Sequence, residues 1–133
     1  MRILALDYGA ARIGCAVSDP SGTLATPIPS VISGDPEALV ALADDRGVER
    51  IVIGLPISLD GAEGGQASET RRFGDRLAEL TDVPIEYYDE RFTTRMATRT
   101  RRESGASSDE DSIAAAHLLE AYLQAVEAGG GTA

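Results

Sequence analysis

The sequence predicts an α/β fold in which a mixed five-stranded sheet is flanked by helices. Short apolar runs near the N-terminus are separated by turn residues and have the length of strands. The hydrophobic period then changes to that of helices, and two further short apolar runs alternate with them. This order, β-β-β-α-β-α-β-α-α, predicts a three-stranded antiparallel meander extended by parallel strands.

The first three predicted strands form the meander. An apolar run at 3–6 ends at Asp7, and residues 12–18 form a second strand that stops at a turn. Residues 23–31 form the third strand and contain Pro27 and Pro29. Because proline has no amide proton to donate to a neighbouring strand, we expect the third strand to be broken or to lie at an edge of the sheet.

The later elements alternate between helix and strand patterns. Asp35 is suited to cap the first helix, and Gly47 is suited to end it. The continuous apolar run at 51–53 is typical of a buried parallel strand. In chain order the predicted elements are a helix at 35–47, a strand at 51–53, a glycine-rich loop at 54–65, a helix at about 66–80, a strand at 85–89, and helices at 94–102 and about 109–127.

Composition limits the classes of protein to which the chain can belong. No apolar run approaches the roughly 18 residues that a membrane helix needs, and the N-terminus lacks the pattern of a signal peptide. The single cysteine cannot form an internal disulfide. We therefore expect a cytoplasmic protein with no membrane partner. We expect residues 1–127 to form one domain and residues 128–133 to form a flexible tail.

The charge is strongly acidic but unevenly distributed. The chain has 22 acidic residues against 12 basic ones, all of them arginine, and a net charge of −10. Such a protein repels nucleic acid at long range, so phosphate binding would need a local basic patch, a metal ion, or both. Arginines that follow position 90 at helical spacing offer such a patch, and the alternative is a solvated helix face. They are Arg91, Arg95, Arg99 and Arg102.

Acidic residues occupy places where a sheet of this type binds ligands. Asp7 follows the first strand and the pair Asp89-Glu90 ends the last one. The carboxyl ends of parallel strands meet at one edge of a sheet, so these side chains can converge. Strand-end carboxylates are also common turn or capping residues, and position alone favours that simpler interpretation.

Asp111 begins an apolar stripe on the final helix. The residues four, seven and eleven positions later are Ala115, Leu118 and Tyr122, so Asp111 is expected to face the protein. Three converging carboxylates with no lysine among them would repel one another, and a bound Mg²⁺ or Mn²⁺ relieves this. Two such ions can clamp the attacking and leaving oxygens of a phosphodiester. A mechanism with paired histidines is excluded because the chain has one histidine.

The combined motifs resemble the YqgF/RuvX family over about residues 3–123. The matching segments, in the same order and spacing, are Leu6-Asp7-Tyr8-Gly9, Arg12-Ile13-Gly14, Ser18-Asp19, Gly54-Leu55-Pro56, Asp60-Gly61, Asp89-Glu90-Arg91, Thr93-Thr94, and Asp111 with Ala114-Ala115. The resemblance implies a ribonuclease H-like fold and metal-dependent phosphodiester cleavage. It also implies that Asp7, Glu90 and Asp111 are the catalytic and metal-binding acids, with Asp89 as the alternative to Glu90.

The function implied by the resemblance is that of a nuclease acting on structured nucleic acid. Its first candidate substrate is the precursor of 16S ribosomal RNA, which would be trimmed at its 5′ end during ribosome biogenesis. The alternative is a branched DNA junction, which would favour a homodimer because two symmetric cuts need two active sites. A fragment of a nucleotide-binding ATPase and a non-catalytic RNA-binding protein are further alternatives.

Overall fold

The computed structural model describes residues 1–58, 60–92 and 110–128. The five strands are β1 (Ile3–Tyr8), β2 (Arg12–Ser18), β3 (Ala25–Ile32), β4 (Arg50–Leu55) and β5 (Ile85–Asp89). The helices are α1 (Pro36–Asp45), α2 (Gly65–Leu80) and α3 (Glu110–Ala128), and a 3-10 turn spans Glu90–Phe92. The predicted helix at 94–102 and the tail beyond Ala128 lie outside the described residues. None of the helices described here is long and apolar enough to cross a membrane.

The strands form one mixed sheet in the order β3-β2-β1-β4-β5. The pairs β1–β2 and β2–β3 are antiparallel, whereas β1–β4 and β4–β5 are parallel. The predicted meander and the parallel extension are thus confirmed. β3 is an edge strand, as its two prolines predicted, and its pairing with β2 shifts register between Ile13 and Cys15.

Each face of the sheet packs against its own helices. One face buries large side chains, including Leu4, Leu6 and Ile53, together with Phe73 and Leu77 of α2. We call this the α1/α2 face. The opposite face, the α3 face, buries a second set of strand residues against α3. They are Ile3, Ala5, Ala16 and Val52. Because side chains alternate along a strand, the same strands supply both layers.

The helix boundaries follow the predicted signals closely. The Asp35 carboxylate accepts a hydrogen bond from the Ala38 amide at 3.2 Å, and Gly47 follows α1 with a φ of 65°. A left-handed conformation of this kind costs glycine little, which explains why the chain turns there. The helical spacing predicts that Leu80 shares the buried face of α2 with Phe73 and Leu77, but Leu80 is 43% exposed because it is the last residue of the helix.

Candidate active site

Asp7 lies on the α3 face of β1. Its neighbour Leu6 belongs to the α1/α2 core, and Tyr8 stacks on Phe73 of α2 with the ring centroids 4.8 Å apart. Alternation along the strand therefore places Asp7 on the other side of the sheet, above Ala5 of the α3 core. The first predicted acid thus lies beneath α3, near its N-terminal end.

Both strand neighbours of Asp7 are glycines. Gly14 of β2 is its antiparallel partner. On the other side, Leu6 pairs with Ile53, so Gly54 is the residue of β4 that lies beside Asp7. Neither neighbour has a side chain, which leaves room on either side of Asp7 for other parts of the protein to approach.

The side chains of Glu90 and Leu118 lie against the position above Gly54. A Cβ built on Gly54 would lie 3.4 Å from Glu90 Oε1 and 3.1 Å from Leu118 Cδ2 of α3. The carboxylate of Glu90 therefore reaches back over β4 from the 3-10 turn that follows β5. This places it on the same face of the sheet as Asp7 and on the neighbouring strand.

The first turn of α3 fills the position above Gly14. A Cβ built on Gly14 would lie only 2.0 Å from the backbone oxygen of Asp111 and 2.2 Å from its carbonyl carbon. Only a glycine allows the helix to approach β2 this closely. Asp111 is consequently held above the strand that pairs with Asp7.

The apolar stripe that begins at Asp111 is buried as the sequence predicted. Ala115, Leu118 and Tyr122 are at most 2% exposed, and Asp111 itself is half-buried. The stripe packs on the α3 face of the sheet, in one core with Ala5. The helix therefore directs its N-terminal turn towards the carboxyl end of β1.

Asp89 lies apart from this group of acids. Along β5, Tyr87 contacts α2 near Gly74, whereas Tyr88 packs edge-on against Tyr122 of α3 with centroids 5.6 Å apart. Alternation then places Asp89 on the α1/α2 face. Glu90, and not Asp89, therefore shares a face with Asp7.

Arg91 engages the Asp89 carboxylate through its guanidinium group. Arg91 Nη2 and Nε lie 2.6 and 3.0 Å from Asp89 Oδ2, and the Arg91 amide also donates to Asp89 at 2.9 Å. These hydrogen bonds hold the pKa of Asp89 below its usual value and raise the pKa of Arg91. Of the four arginines predicted to bind phosphate, Arg91 is therefore already paired. Arg95, Arg99 and Arg102 lie outside the described residues.

Part of the predicted glycine-rich loop is a hydrogen-bonded turn. The Gly61 amide donates to the Ser58 carbonyl at 2.8 Å, and the Ser58 amide donates to the Ala62 carbonyl at 3.0 Å. The Asp60 carboxylate accepts from the Ser58 hydroxyl, which lowers the pKa of Asp60. Arg91 Nη1 contacts the Ser58 carbonyl at 3.4 Å, so this turn is tied to the end of β5.

The three acids supply carboxylate oxygens, the ligand type that Mg²⁺ and Mn²⁺ prefer. Within the described part of the chain, no three side chains of His, Cys, Asp or Glu are close enough to hold one ion together. The backbone nevertheless fits such a site, because Gly14 and Gly54 bring Asp111 and Glu90 to either side of Asp7. The fit to a divalent ion therefore depends on the oxygen donors of these residues and on this placement of the backbone.

Sequence reasoning assigned no role to the residues that place these acids. Gly14 lies inside the predicted strand at 12–18, where glycine is unfavourable unless another part of the protein comes close, and that was a signal. Gly54 carried no such signal, because it was assigned to the loop at 54–65, whereas β4 extends to Leu55. Ser112 is fully buried and accepts a hydrogen bond from the Cys15 amide at 3.2 Å. No comparable signal pointed to Ser112, because a serine in a first helical turn is ordinary.

Comparison with known proteins identifies the family. The family model described as "RuvX: Holliday junction resolvase" matches residues 1–125. The chain belongs to the RuvX family. A relative from Paramagnetospirillum magneticum, named "Putative pre-16S rRNA nuclease", is 41% identical over 131 residues that cover 92% of this chain and 84% of the relative. A relative of the same name from Myxococcus xanthus is 39% identical, covering 94% and 89% of the two chains.

Solved structures support the fold expected of a RuvX-family chain. T. thermophilus RuvC, solved in complex with a Holliday junction substrate, superposes with a TM-score of 0.63. The superposition covers 100% of this chain and 98% of that one at 17% sequence identity. A likeness at this identity shows the fold alone. It confirms the ribonuclease H-like arrangement of a mixed sheet between helices.

Proposed function

We propose that this RuvX-family chain is a metal-dependent endonuclease that cleaves phosphodiester bonds in structured RNA. The observation that carries the proposal is the arrangement around Asp7. Its two strand neighbours are glycines: the backbone of Asp111 occupies the space where Gly14 would carry a Cβ, and Glu90 Oε1 lies 3.4 Å from a Cβ built on Gly54. An arrangement of this kind would allow Glu90 and Asp111 to reach the two sides of Asp7.

The proposed ligands of Mg²⁺ or Mn²⁺ are Asp7, Glu90 and Asp111. A divalent ion bound there would stabilise the charge that develops on the attacked phosphate and lower the pKa of a bound water. The protein supplies the anionic pocket and its orientation. Asp89 is excluded from the proposed ligand set because Arg91 holds its carboxylate on the opposite face.

The proposed substrate is precursor 16S ribosomal RNA in the cytoplasm, with cleavage in the maturation of its 5′ end. Support comes from relatives about 40% identical that carry this activity in their names. Arg95, Arg99 and Arg102 are proposed to contact phosphates next to the acids. Arg91 should contribute less to binding, since its guanidinium is already paired with Asp89.

Cleavage assays on matched substrates test the proposal. The purified chain is incubated with a precursor 16S RNA fragment and with a four-way DNA junction, in the presence of Mg²⁺, Mn²⁺ or a chelator. We expect metal-dependent cleavage of the RNA that is lost in Asp7→Asn. Preferential symmetric cleavage of the DNA junction, with a dimer in sedimentation, would instead favour a junction resolvase. Metal-independent binding without cleavage of either substrate would contradict a nuclease function.

A further inference from the structure

A buried hydroxyl group joins the first turn of α3 to the sheet. Ser112, the third residue of the helix, is 0% exposed, and its Oγ accepts a hydrogen bond from the Cys15 amide of β2 at 3.2 Å. The two residues are separated by 97 positions in sequence. A backbone amide of the central sheet is thus satisfied by a side chain of the helix that carries Asp111.

This hydrogen bond coincides with an irregularity in the sheet. The pairing of β2 with β3 shifts register between Ile13 and Cys15, which is where the Ser112 contact is made. Gly14 lies between these two residues, and its missing Cβ leaves room for the backbone of Asp111 and Ser112. The register shift, Gly14 and the Ser112 hydroxyl together form the contact between β2 and the first turn of α3.

This contact determines the position of Asp111 relative to Asp7. The large apolar anchors of α3, Leu118, Leu119 and Tyr122, lie about two turns or more from Asp111 at 3.6 residues per turn. Closer to Asp111 the helix buries only the small Ala115 and Ala116, so the position of the first turn depends more strongly on its contacts with Gly14 and Cys15. Gly14 pairs with Asp7. The contact between the first turn of α3 and Gly14 therefore holds this turn beside Asp7.

We propose that Ser112 is a positioning residue: its hydroxyl, bonded to the Cys15 amide, fixes the Asp111 carboxylate in the place from which it binds a divalent cation with Asp7. The inference rests on the proposed function, because it assigns Asp111 to a metal site. Ser112 itself touches neither metal nor substrate and acts through Asp111.

Ser18, the last residue of β2, provides a matched control. Ser18 is 1% exposed, and its hydroxyl accepts a hydrogen bond from the Ile3 amide at 2.8 Å. Ser18→Ala therefore removes the same kind of bond between a buried hydroxyl and a strand amide as Ser112→Ala does. Only Ser112→Ala removes it next to the proposed metal ligands.

The test compares Mn²⁺ affinity by isothermal titration calorimetry with thermal stability in the full chain and both variants. We expect the two variants to lose melting temperature to a similar extent. Only Ser112→Ala should raise the Mn²⁺ dissociation constant, by about 10-fold or more, the typical effect of losing a group that orients a metal ligand. Equal Mn²⁺ affinity in Ser112→Ala and Ser18→Ala would overturn the positioning role.

A double-mutant cycle identifies the residue through which Ser112 acts. In an Asp111→Asn background, Ser112→Ala should cause no further loss of Mn²⁺ affinity, and a repeated 10-fold loss would overturn the inference. If Ser112→Ala does not fold, Ser112→Cys preserves volume and supplies only a weak acceptor. It should weaken Mn²⁺ binding to a smaller extent, and wild-type affinity in this variant would count against the inference.

The same titration separates this inference from the proposed function. A wild-type chain that binds no Mn²⁺ contradicts the proposed metal site, and the positioning role falls with it. A wild-type chain that binds Mn²⁺, and whose affinity is unchanged by Ser112→Ala, contradicts the positioning role alone.

Discussion

The two faces of the sheet are built from the same strands but differ in the size of their side chains. In β1, Leu6 and Tyr8 face α1 and α2, whereas Ala5 and Asp7 face α3. The α1/α2 face is filled with large aliphatic and aromatic residues that exclude water. The α3 face has alanine and glycine near the site, and a helix comes close enough to bring its own acid to the strand end.

This difference separates stability from function within single strands. Large buried side chains supply most of the hydrophobic free energy of folding. Small residues supply less, but they allow the backbone of α3 to lie against the sheet at Gly14. Substitutions on the two faces should therefore have opposite effects on unfolding and on cleavage, even where the residues are adjacent in sequence.

The largest expected contrast is between Asp7→Asn and Leu6→Ala. Asp7→Asn removes a charge at nearly constant volume, so we expect cleavage to be abolished and the free energy of unfolding to change little. Leu6→Ala creates a cavity at a residue that is 0% exposed, which should cost about 2–5 kcal/mol of stability. Cleavage assays and urea denaturation of both variants measure the two effects. A severe loss of stability in Asp7→Asn would show that Asp7 has a structural role instead.

Gly14 and Gly74 allow the two faces to be compared, because a Cβ at either position would meet an equally close atom. A Cβ on Gly14 would lie 2.0 Å from the backbone oxygen of Asp111, and a Cβ on Gly74 would lie 2.0 Å from the Tyr87 hydroxyl. A tyrosine side chain can move aside, whereas the backbone of α3 must be displaced. We expect Gly14→Ala to cost about 3 kcal/mol or more and Gly74→Ala about 1–3 kcal/mol, within the range of overpacked cores.

Mn²⁺ affinity provides a second comparison between Gly14→Ala and Gly74→Ala. Gly14→Ala should also weaken Mn²⁺ binding, because the displaced turn carries Asp111, whereas Gly74→Ala should leave Mn²⁺ affinity intact. Gly34→Ala serves as a control for stability, because nothing lies within 4 Å of a Cβ at that position. If Gly14→Ala lowered the free energy of unfolding no more than Gly34→Ala, the close approach of α3 to β2 would be refuted.

The arginines that follow β5 offer a smaller comparison, between a paired residue and the rest of the stripe. Arg95→Ala with Arg99→Ala should weaken RNA binding, and each lost phosphate contact should lower the slope of log affinity against log salt by about 0.7–0.9. Arg91→Ala should change that slope less, since Arg91 is paired with Asp89. Filter binding at several salt concentrations measures the slopes. An unchanged slope in the double variant would identify the stripe as a solvated face.

The smallest expected effect concerns the two consecutive acids at the end of β5. The folded state lowers the pKa of Asp89 through Arg91, so this carboxylate stabilises the fold above its unfolded pKa of about 3.9. That contribution is lost as the pH falls through the lower folded pKa. Asp89→Asn should remove about 1 kcal/mol or less at pH 7, because Arg91 is partly exposed. Denaturation at pH 7 and pH 3 tests this, and the stability difference from wild type should shrink at pH 3.

Glu90→Gln provides the complementary variant for the same pair. We expect it to abolish cleavage with little change in the free energy of unfolding. The reverse result, with Asp89→Asn inactive and Glu90→Gln active, would show that the proposed assignment of the acids to the two faces is incorrect.

Much of the fold could be predicted because its signals are local. Alternation, prolines and capping residues identified all five strands and the helices at 36–45, 65–80 and 110–128. The stripe that starts at Asp111 could also be read from helical spacing alone. These features depend on residues that are close in sequence, and the physical rules that govern them act over one or two turns.

The site was less predictable because its geometry depends on contacts across the chain. The choice between Asp89 and Glu90 depends on the side of β5 that faces α3, which short half-buried strands do not reveal. The hydrogen bond between Ser112 and Cys15 joins residues 97 positions apart. Sequence spacing could place the acids at strand ends, but it could not show which glycines let them approach.

The most direct test of this account is a crystal structure of the chain soaked in Mn²⁺, with anomalous scattering used to locate the ion. We expect an anomalous peak on the α3 face, in contact with the carboxylates of Asp7, Glu90 and Asp111, and a second ion, if present, about 4 Å away. Asp89 should remain paired with Arg91. Peaks found only elsewhere, or the three carboxyl groups more than about 10 Å apart in the presence of Mn²⁺, would contradict the account, since two-metal sites span only about 4 Å.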